Sequence, residues 1–401
     1  MVENIKAFFR PNLIVLYLYI ILSFIAKPPI MSDVYVTYSI YMLIGYSLFV
    51  IVWKRTIYWS KYLTWSISII ALCFISIMYA HHKEVAYNGL YTLFIPFILS
   101  FSIVQLITTK EDIKNILFVL ALSGGILYIL MMHHGLFLIV NDRLGNEFSG
   151  NANAFSCMVL LSVLAAICNI YMFKNKLIWM LMIAIIIADY HMLILSEGRK
   201  YLITPILFWG ILQFKISDFK FNRLILYIIL TAIALPIIVT LLLDAEILSE
   251  SLIKRFEMTS AMIGGSKANI GEGDIERQAM VVQGLGYFLN SPIWGNGQCN
   301  FSYLFSLDWS GGHLGHYSHN NYVELLCNLG VIGFVVYYRF YYKILKSSLR
   351  CNTPYDNWSF AFIISLMIME FGIVSYYTQY LLQILIFIAS LSVFERQKVR
   401  F

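Results

Sequence analysis

Charged residues are scarce in this chain of 401 residues. Asp, Glu, Lys and Arg make up only 12% of it, whereas 60% is hydrophobic and the mean hydropathy is +0.75. A soluble domain usually carries roughly 25% charged residues, so this composition excludes an ordinary soluble enzyme. Because about 20 apolar residues cross a bilayer, the chain is predicted to be an all-α polytopic membrane protein.

The chain also lacks a cysteine framework. Its six cysteines show no metal-ligand spacing, and only Cys299 lies in the long loop defined below. His313, His316 and His319 do not match a zinc pattern, so we expect no metal, no cofactor and no disulfide framework. The net charge of +6 is interpreted as an orientation signal for membrane insertion, and no nucleic-acid partner is predicted.

Apolar runs bounded by charged or turn residues predict about twelve transmembrane helices. Their approximate spans are 12–26, 34–53, 63–80, 88–108, 115–132, 153–173, 177–196, 201–214, 224–243, 322–342, 358–376 and 379–395. If the N-terminus is cytoplasmic, 19 of the 28 basic residues fall on that side. This asymmetry predicts that both termini are cytoplasmic.

The predicted organisation has three parts. Transmembrane helices one to nine occupy 1–243, a large periplasmic loop with short helices occupies 244–321, and helices ten to twelve occupy 322–401. Long loops in compact proteins are often functional, so the large loop is a candidate region for the site. A short amphipathic helix is predicted within it, near residues 277–289.

Charged side chains are costly in a bilayer, so their positions are informative. Several lie toward the outer ends of their predicted helices, which predicts a polar cavity open to the outside. They are Asp189, His191, Glu197, Arg199, Lys200, Glu324 and Glu370.

A histidine at the end of the large loop is the candidate base. His319 precedes a helix, and its ordinary pKa near 6.5 suits proton transfer, with Glu324 as a candidate partner. Arg199 and Arg277 are candidates to grip a diphosphate, because guanidinium groups bind phosphate oxygens in a bidentate manner and keep their charge. Surface histidines and helix-end arginines are the alternative interpretation of these residues.

Four patterns together resemble the O-antigen polymerase and O-antigen ligase superfamily. They are His319-Asn320 followed by Gly330-x-x-Gly333, Ser196-x-Gly198-Arg199-Lys200, Arg277 with the block 291–297 (SPIWGNG), and Arg143 with Gly150-Asn151-Ala152-Asn153. In the last of these, Ala152 stands where the family pattern has proline. The resemblance covers about 140–340, and the first four helices carry no recognisable motif.

The resemblance implies an inverting, metal-independent glycosyltransferase of the GT-C type in the bacterial inner membrane, with its active site facing the periplasm. Its substrates would be undecaprenyl-diphosphate-linked oligosaccharides, and a chain-length regulator would be a further partner. By analogy, Arg199 and Arg277 bind the donor diphosphate and His319 acts on the acceptor hydroxyl. Additional substrate-binding candidates are Arg143, Asn153, Lys200, Asn320 and Glu324.

Three functions remain open at this point. A polymerase passes a growing glycan onto a lipid-linked repeat unit, and the 150–153 block and the Arg199-Lys200 pair favour it. A ligase would pass the glycan onto a lipid A core instead. A lipid-linked oligosaccharide flippase or another transporter would share the topology, but should show broken helices or charges near the midplane and two related halves.

Overall fold

The computed structural model describes residues 10–138, 143–220, 272–309, 314–377 and 380–400, and these are mostly helical. The helices are α1 (Pro11–Ile25), α2 (Val34–Lys54), α3 (Lys61–Ser76), α4 (Lys83–Leu106), α5 (Lys110–His133), α6 (Asn146–Ser149), α7 (Ala152–Met172), α8 (Lys176–Leu195), α9 (Arg199–Ile216), α10 (Glu272–Asn290), α11 (Asn300–Asp308), α12 (Asn321–Ser348), α13 (Pro354–Met369) and α14 (Tyr380–Val393).

A helix lies at every predicted span except 224–243, which is outside the described residues. Within the described ranges, six helices are long and apolar enough to cross a membrane, and α1, α3 and most of α14 are shorter apolar helices. The chain is therefore a helical, membrane-embedded protein. The amphipathic helix predicted near 277–289 is also present, as the longer α10.

Helix starts follow local sequence. Thr109 and Thr353 each accept a hydrogen bond from the backbone N–H of the aspartate three residues on, and each aspartate side chain accepts one back from the threonine N–H. These capping boxes pair N–H groups that the first helical turn leaves without partners, and thereby set the starts of α5 and α13.

The expectation of a purely helical protein is wrong in one detail. Residues Thr56–Trp59 form strand β1, which pairs antiparallel with strand β2, Gln397–Arg400. Each strand has only four residues, so the sequence contains little signal for either strand. The guanidinium of Arg396 strengthens this attachment, since it stacks on the Tyr58 ring and donates to the Val104 carbonyl.

At one end of the bundle, here called the basic end, segments that are distant in sequence contact one another. The strand pair brings the connection between α2 and α3 together with the segment after α14. Arg10 pairs with Asp112 at the start of α5, and Lys215 donates to the Cys351 carbonyl at 3.2 Å. Arg10 and Lys215, which charge counting assigned to the same side of the membrane, therefore lie at this end.

The opposite end, here called the site end, is held together by a separate set of contacts. The hydroxyl of Tyr79 donates to the Trp294 carbonyl at 2.8 Å, and the His82 N–H donates to the Asn300 side chain at 2.7 Å. The Asn321 N–H donates to the Glu370 carbonyl at 2.8 Å. These bonds place parts of the large loop against the ends of α3 and α13.

The centre of the bundle is α7, most of whose side chains are buried. It packs on α5, α8, α9 and α13, whereas α2 lies at the periphery and exposes much of its apolar surface. Apolar exposure of this extent suits contact with lipid chains rather than water.

The tenth predicted span is not a continuous helix. Gly330 in α12 has φ +63° and ψ −165°, which breaks the helix there. The Val331 N–H instead donates to the Pro292 carbonyl at 2.9 Å, and the Asn296 N–H donates to the Cys327 carbonyl at 2.9 Å. At Gly330 the helix is therefore broken, and its backbone packs closely against the 291–297 segment.

The eleventh predicted span ends earlier than expected. The sequence predicted a helix over 358–376, but α13 ends at Met369. The Glu370 carboxylate accepts hydrogen bonds from Tyr338 at 2.9 Å, from Tyr341 at 3.0 Å and from Ser375. Because these side-chain bonds hold residues 370–377 in an irregular conformation, the apolar run does not continue as a helix.

Candidate functional site

The first part of the site joins Arg143 to the starts of α7 and α9. The Arg143 Nε donates to the Ser196 carbonyl at 2.9 Å, and a terminal nitrogen of Arg143 donates to the Asn153 side chain at 3.2 Å. The Ser156 hydroxyl donates to that of Ser196 at 2.7 Å. Two of the four sequence patterns therefore meet in space.

Gly198 allows this close approach. A Cβ at that position would lie 2.8 Å from the Ser156 hydroxyl, and also 2.8 Å from the Tyr201 ring. Only a residue without a side chain fits there without displacing one of them. The turn places Arg199 and Lys200 in the first turn of α9, where both are half-buried.

Lys200 reaches across to the segment after α13. Its ammonium donates to the Gly372 carbonyl at 2.6 Å and lies 5.0 Å from the centre of the Tyr201 ring. The charges of Arg143 and Arg277 both act on Lys200. Two arginines from separate parts of the chain therefore lie within electrostatic reach of Lys200.

The second part of the site is the turn that begins α12. His319 has φ +53°, a left-handed conformation uncommon for a residue with a side chain. Asn320 caps the helix, since its side chain accepts from the N–H groups of Tyr322 at 3.0 Å and Val323 at 3.2 Å. The Asn320 side chain is thus used for the cap, which fixes the position of His319 directly before it.

The expected pairing of Glu324 with His319 is wrong. Within the described part of the chain the His319 imidazole forms no hydrogen bond, and the Glu324 carboxylate is fully buried elsewhere. It accepts from the Ser318 N–H at 2.7 Å, from the Tyr377 hydroxyl at 3.0 Å and from the Asn328 amide at 3.2 Å. Glu324 therefore holds the backbone before His319 rather than its ring.

The electrostatics of the site keep His319 neutral. Burial, together with the positive charges of Arg277, Lys200 and His316, lowers its pKa from 6.5 to about 3. The Tyr317 ring packs against the imidazole, with 4.2 Å between ring centres. At neutral pH the imidazole is therefore an uncharged group beside two cations.

The structure brings together Arg143, Asn153, Lys200, Arg277 and His319 through direct contacts or through charges. Arg199 adjoins this group as the neighbour of Lys200 at the start of α9. Asp189 does not belong to it, because its carboxylate is buried beside Gly124 and Ser162, between α5 and α7.

Sequence reasoning missed the tyrosines that support the site. Tyr317 packs on His319, and Tyr377 donates to Glu324. Tyr338 and Tyr341 donate to the buried carboxylate of Glu370. The sequence did contain a signal for this network: a glutamate lies within an apolar run, and tyrosines are spaced along a neighbouring helix.

A cavity of about 740 Å³ lies at the same end. It is lined by aromatic residues, among them Tyr79, Tyr287 and Trp294, and by the amides Asn290 and Asn296. Tyr287 follows Arg277 by ten residues of α10, which corresponds to about 15 Å along the helix axis.

Neither a protein-family model nor a curated protein sequence matches this chain. Among the described residues, no group of three or more His, Cys, Asp or Glu side chains is arranged to hold a metal ion.

Proposed function

We propose that the protein is a polysaccharide polymerase: an inverting glycosyltransferase that moves a glycan from an undecaprenyl-diphosphate-linked donor onto the non-reducing end of a lipid-linked repeat unit. The observation that carries this proposal is that Lys200 and Arg277 lie near a neutral His319, with Arg143 near Lys200, at one end of a membrane-embedded bundle. A donor with a lipid tail and an anionic head needs such a polar site beside a bilayer.

The cations suit a departing diphosphate. Breakage of the bond between the anomeric carbon and the diphosphate oxygen leaves negative charge on that oxygen, and fixed positive groups stabilise the charge as it develops. Arg277 and Lys200 would contact the diphosphate, with Arg199 beside them, while Arg143 positions the start of α9 through Ser196. Because diphosphate is a stable leaving group, the step needs no proton donor.

His319 would serve the acceptor. A neutral imidazole has a free lone pair, so it can accept the proton of the acceptor hydroxyl as that oxygen attacks the anomeric carbon. A pKa of about 3 makes the imidazole a weak base before the donor binds. Binding of an anionic diphosphate would offset the charges of Arg277 and Lys200 and raise that pKa, so the base would become stronger once the donor is bound.

The 740 Å³ cavity would hold sugar units of the substrate. Its aromatic rings offer flat surfaces for sugar rings, and Asn290 and Asn296 offer donors and acceptors for hydroxyl groups. Its distance from Arg277 suits an oligosaccharide whose reducing end lies at the diphosphate.

The proposal includes a GT-C type arrangement with about twelve membrane spans in the bacterial inner membrane. The basic end would face the cytoplasm, with both termini there, because basic residues are retained on that side. The site end would then face the periplasm. Reporter fusions at Tyr287 and Asn300 test this orientation, and a cytoplasmic location of either would contradict it.

A reconstitution assay separates the polymerase from a ligase that uses a lipid A core. Purified protein is offered lipid-linked repeat units in the absence of any core. We expect a ladder of lipid-linked glycans of increasing length. Products that form only after the core is added would instead identify a ligase.

One observation favours a transporter as a second candidate function. Helix α12 is broken at Gly330, and broken helices often form binding sites in transporters. Here, however, the groups freed by the break are bonded to the 291–297 segment. Vesicles carrying a fluorescent lipid-linked oligosaccharide distinguish the two functions: faster transbilayer movement than in empty vesicles, without glycan extension, would favour transport.

A further inference from the structure

A second cationic pocket lies at the basic end, far along α12 from His319. Its volume is about 400 Å³, and it lies between α3 and α12. Three cations line it: Lys61, Arg339 and Lys343. No acidic residue is among its lining residues, and none of the three cations forms an ion pair with a described residue.

The floor of the pocket is rigid and aromatic. Trp65 and Phe340 stack with 4.8 Å between ring centres, and the Trp65 indole donates to the Val336 carbonyl at 3.1 Å. Thr64 and Ser68 line the same wall, and the Ser68 hydroxyl donates to the Thr64 carbonyl at 3.0 Å. Lys61 is the first residue of α3, so the positive end of that helix also faces this region. The pocket therefore favours an anionic group that also accepts hydrogen bonds.

One face of α12 changes character along its length. Val331, Val335, Arg339 and Lys343 are spaced four residues apart, and all four are exposed. Residues with this spacing share a helix face. Along α12, the apolar Val331 and Val335 lie nearer the bundle centre, and the cations Arg339 and Lys343 follow them toward the basic end. Ile67 of α3, the residue before Ser68 of the pocket wall, is likewise exposed.

We propose that this pocket binds the headgroup of an anionic phospholipid, whose acyl chains lie along Val331, Val335 and Ile67. Charge retention at one membrane face explains why basic residues occur at this end, but it does not require three of them in one concave pocket. Basic pockets between transmembrane helices are known to hold anionic lipid headgroups. The apolar stripe that continues from the cations distinguishes a lipid from a free phosphate ion.

Native mass spectrometry of the purified full chain tests the proposal, with phosphatidylglycerol or phosphatidylcholine added in equal amounts. The test variant is Lys61→Gln, Arg339→Gln and Lys343→Gln combined. The matched control is Lys54→Gln, Lys346→Gln and Lys398→Gln combined, which removes the same charge from exposed positions at the same end. All three samples are compared in the same detergent.

We expect wild type and the control to retain phosphatidylglycerol in preference to phosphatidylcholine, and the test variant to bind phosphatidylglycerol about tenfold more weakly. Equal retention by the test variant and the control would overturn the proposal, because binding would then follow overall charge. Displacement of the lipid by millimolar inorganic phosphate would also overturn it, since the pocket would then hold a phosphate ion. None of these outcomes depends on glycan transfer, so the test is independent of the proposed enzymatic function.

Discussion

The two ends of the molecule use positive charge in different ways. At the basic end, residues such as Lys54, Lys61 and Lys343 are exposed. At the site end, Lys200 is half-buried and its charge, with that of Arg277, acts on a histidine that is itself half-buried. Exposed cations interact with a membrane surface, whereas cations beside a desolvated group can select and activate a ligand. Lys215 at the basic end is also buried, but it donates to the Cys351 carbonyl. Cations beside a partly buried histidine, rather than the number or burial of basic residues, therefore mark the end where chemistry would occur.

Removal of the His319 imidazole from the site end should cause the greatest loss of activity among the variants. His319→Gln keeps a polar side chain but removes the basic nitrogen, so we expect glycan extension to fall by about 10²- to 10⁴-fold. The rate of ladder formation with lipid-linked repeat units measures this loss. His134→Gln is the control, because that histidine is exposed, and it should retain full activity. Equal rates for the two variants would remove His319 from the mechanism.

Removal of the cations should have a smaller effect. Arg277→Gln and Lys200→Gln should each reduce kcat/KM by about 10- to 100-fold, because each removes one charge-assisted contact with the diphosphate. Arg277→Lys should recover part of that loss, since it restores the charge without the bidentate geometry.

Lys346→Gln at the basic end serves as the control for both cation variants, and it should leave kcat/KM unchanged. If it reduced kcat/KM as much as Arg277→Gln, the distinction between the ends would be wrong.

The break in α12 should be sensitive to one added methyl group. A Cβ at Gly330 would overlap the Ile293 carbonyl and would require a positive φ, so Gly330→Ala should lower the free energy of unfolding by about 1–3 kcal/mol. Thermal unfolding in detergent measures the change. Gly286→Ala, where a Cβ meets nothing within 4 Å, should be neutral or stabilising. Equal midpoints for the two variants would show that the 291–297 segment does not depend on Gly330.

Protonation of His319 should also make the stability of the protein depend on pH. The pKa of His319 is about 3 in the folded protein and near 6.5 in the unfolded chain, so the unfolded state binds more protons between these values. Wild type should therefore lose stability relative to His319→Gln as the pH falls below 6.5. Unfolding midpoints at pH 7.5 and pH 5 measure the difference. A gap between the two proteins that does not change with pH would contradict the lowered pKa.

Much of the fold could be predicted from the sequence, because bilayer length and hydropathy constrain helices strongly. The helices at 11–25 and 176–195 lie close to their predicted bounds. The early end of α13 at Met369 and the break at Gly330 could not be predicted, since both depend on bonds to segments distant in the chain. Periodicity and hydropathy contain no information about those partners.

The candidate site was predicted in its residue types but not in its connections. Arg143 and Asn153 belong to one sequence pattern and Ser196 to another, and only the structure shows the bonds that Arg143 forms with both. Glu324 was assigned to the wrong partner, because a carboxylate one turn after a histidine also suits a bond to the backbone before it. Direct contacts fix the position of Lys200, and one of them is to the Gly372 carbonyl, just after the end of α13.

Binding of a lipid diphosphate to the purified protein shows directly whether the cations of the site end hold the donor. Undecaprenyl diphosphate is titrated against wild type, against Lys200→Gln with Arg277→Gln, and against Lys54→Gln with Lys346→Gln, and the bound fraction is measured by native mass spectrometry. We predict that wild type and the basic-end variant bind the diphosphate equally, and that the site-end variant binds it at least about tenfold more weakly. Equal binding by the two double variants would contradict the proposed role of Lys200 and Arg277.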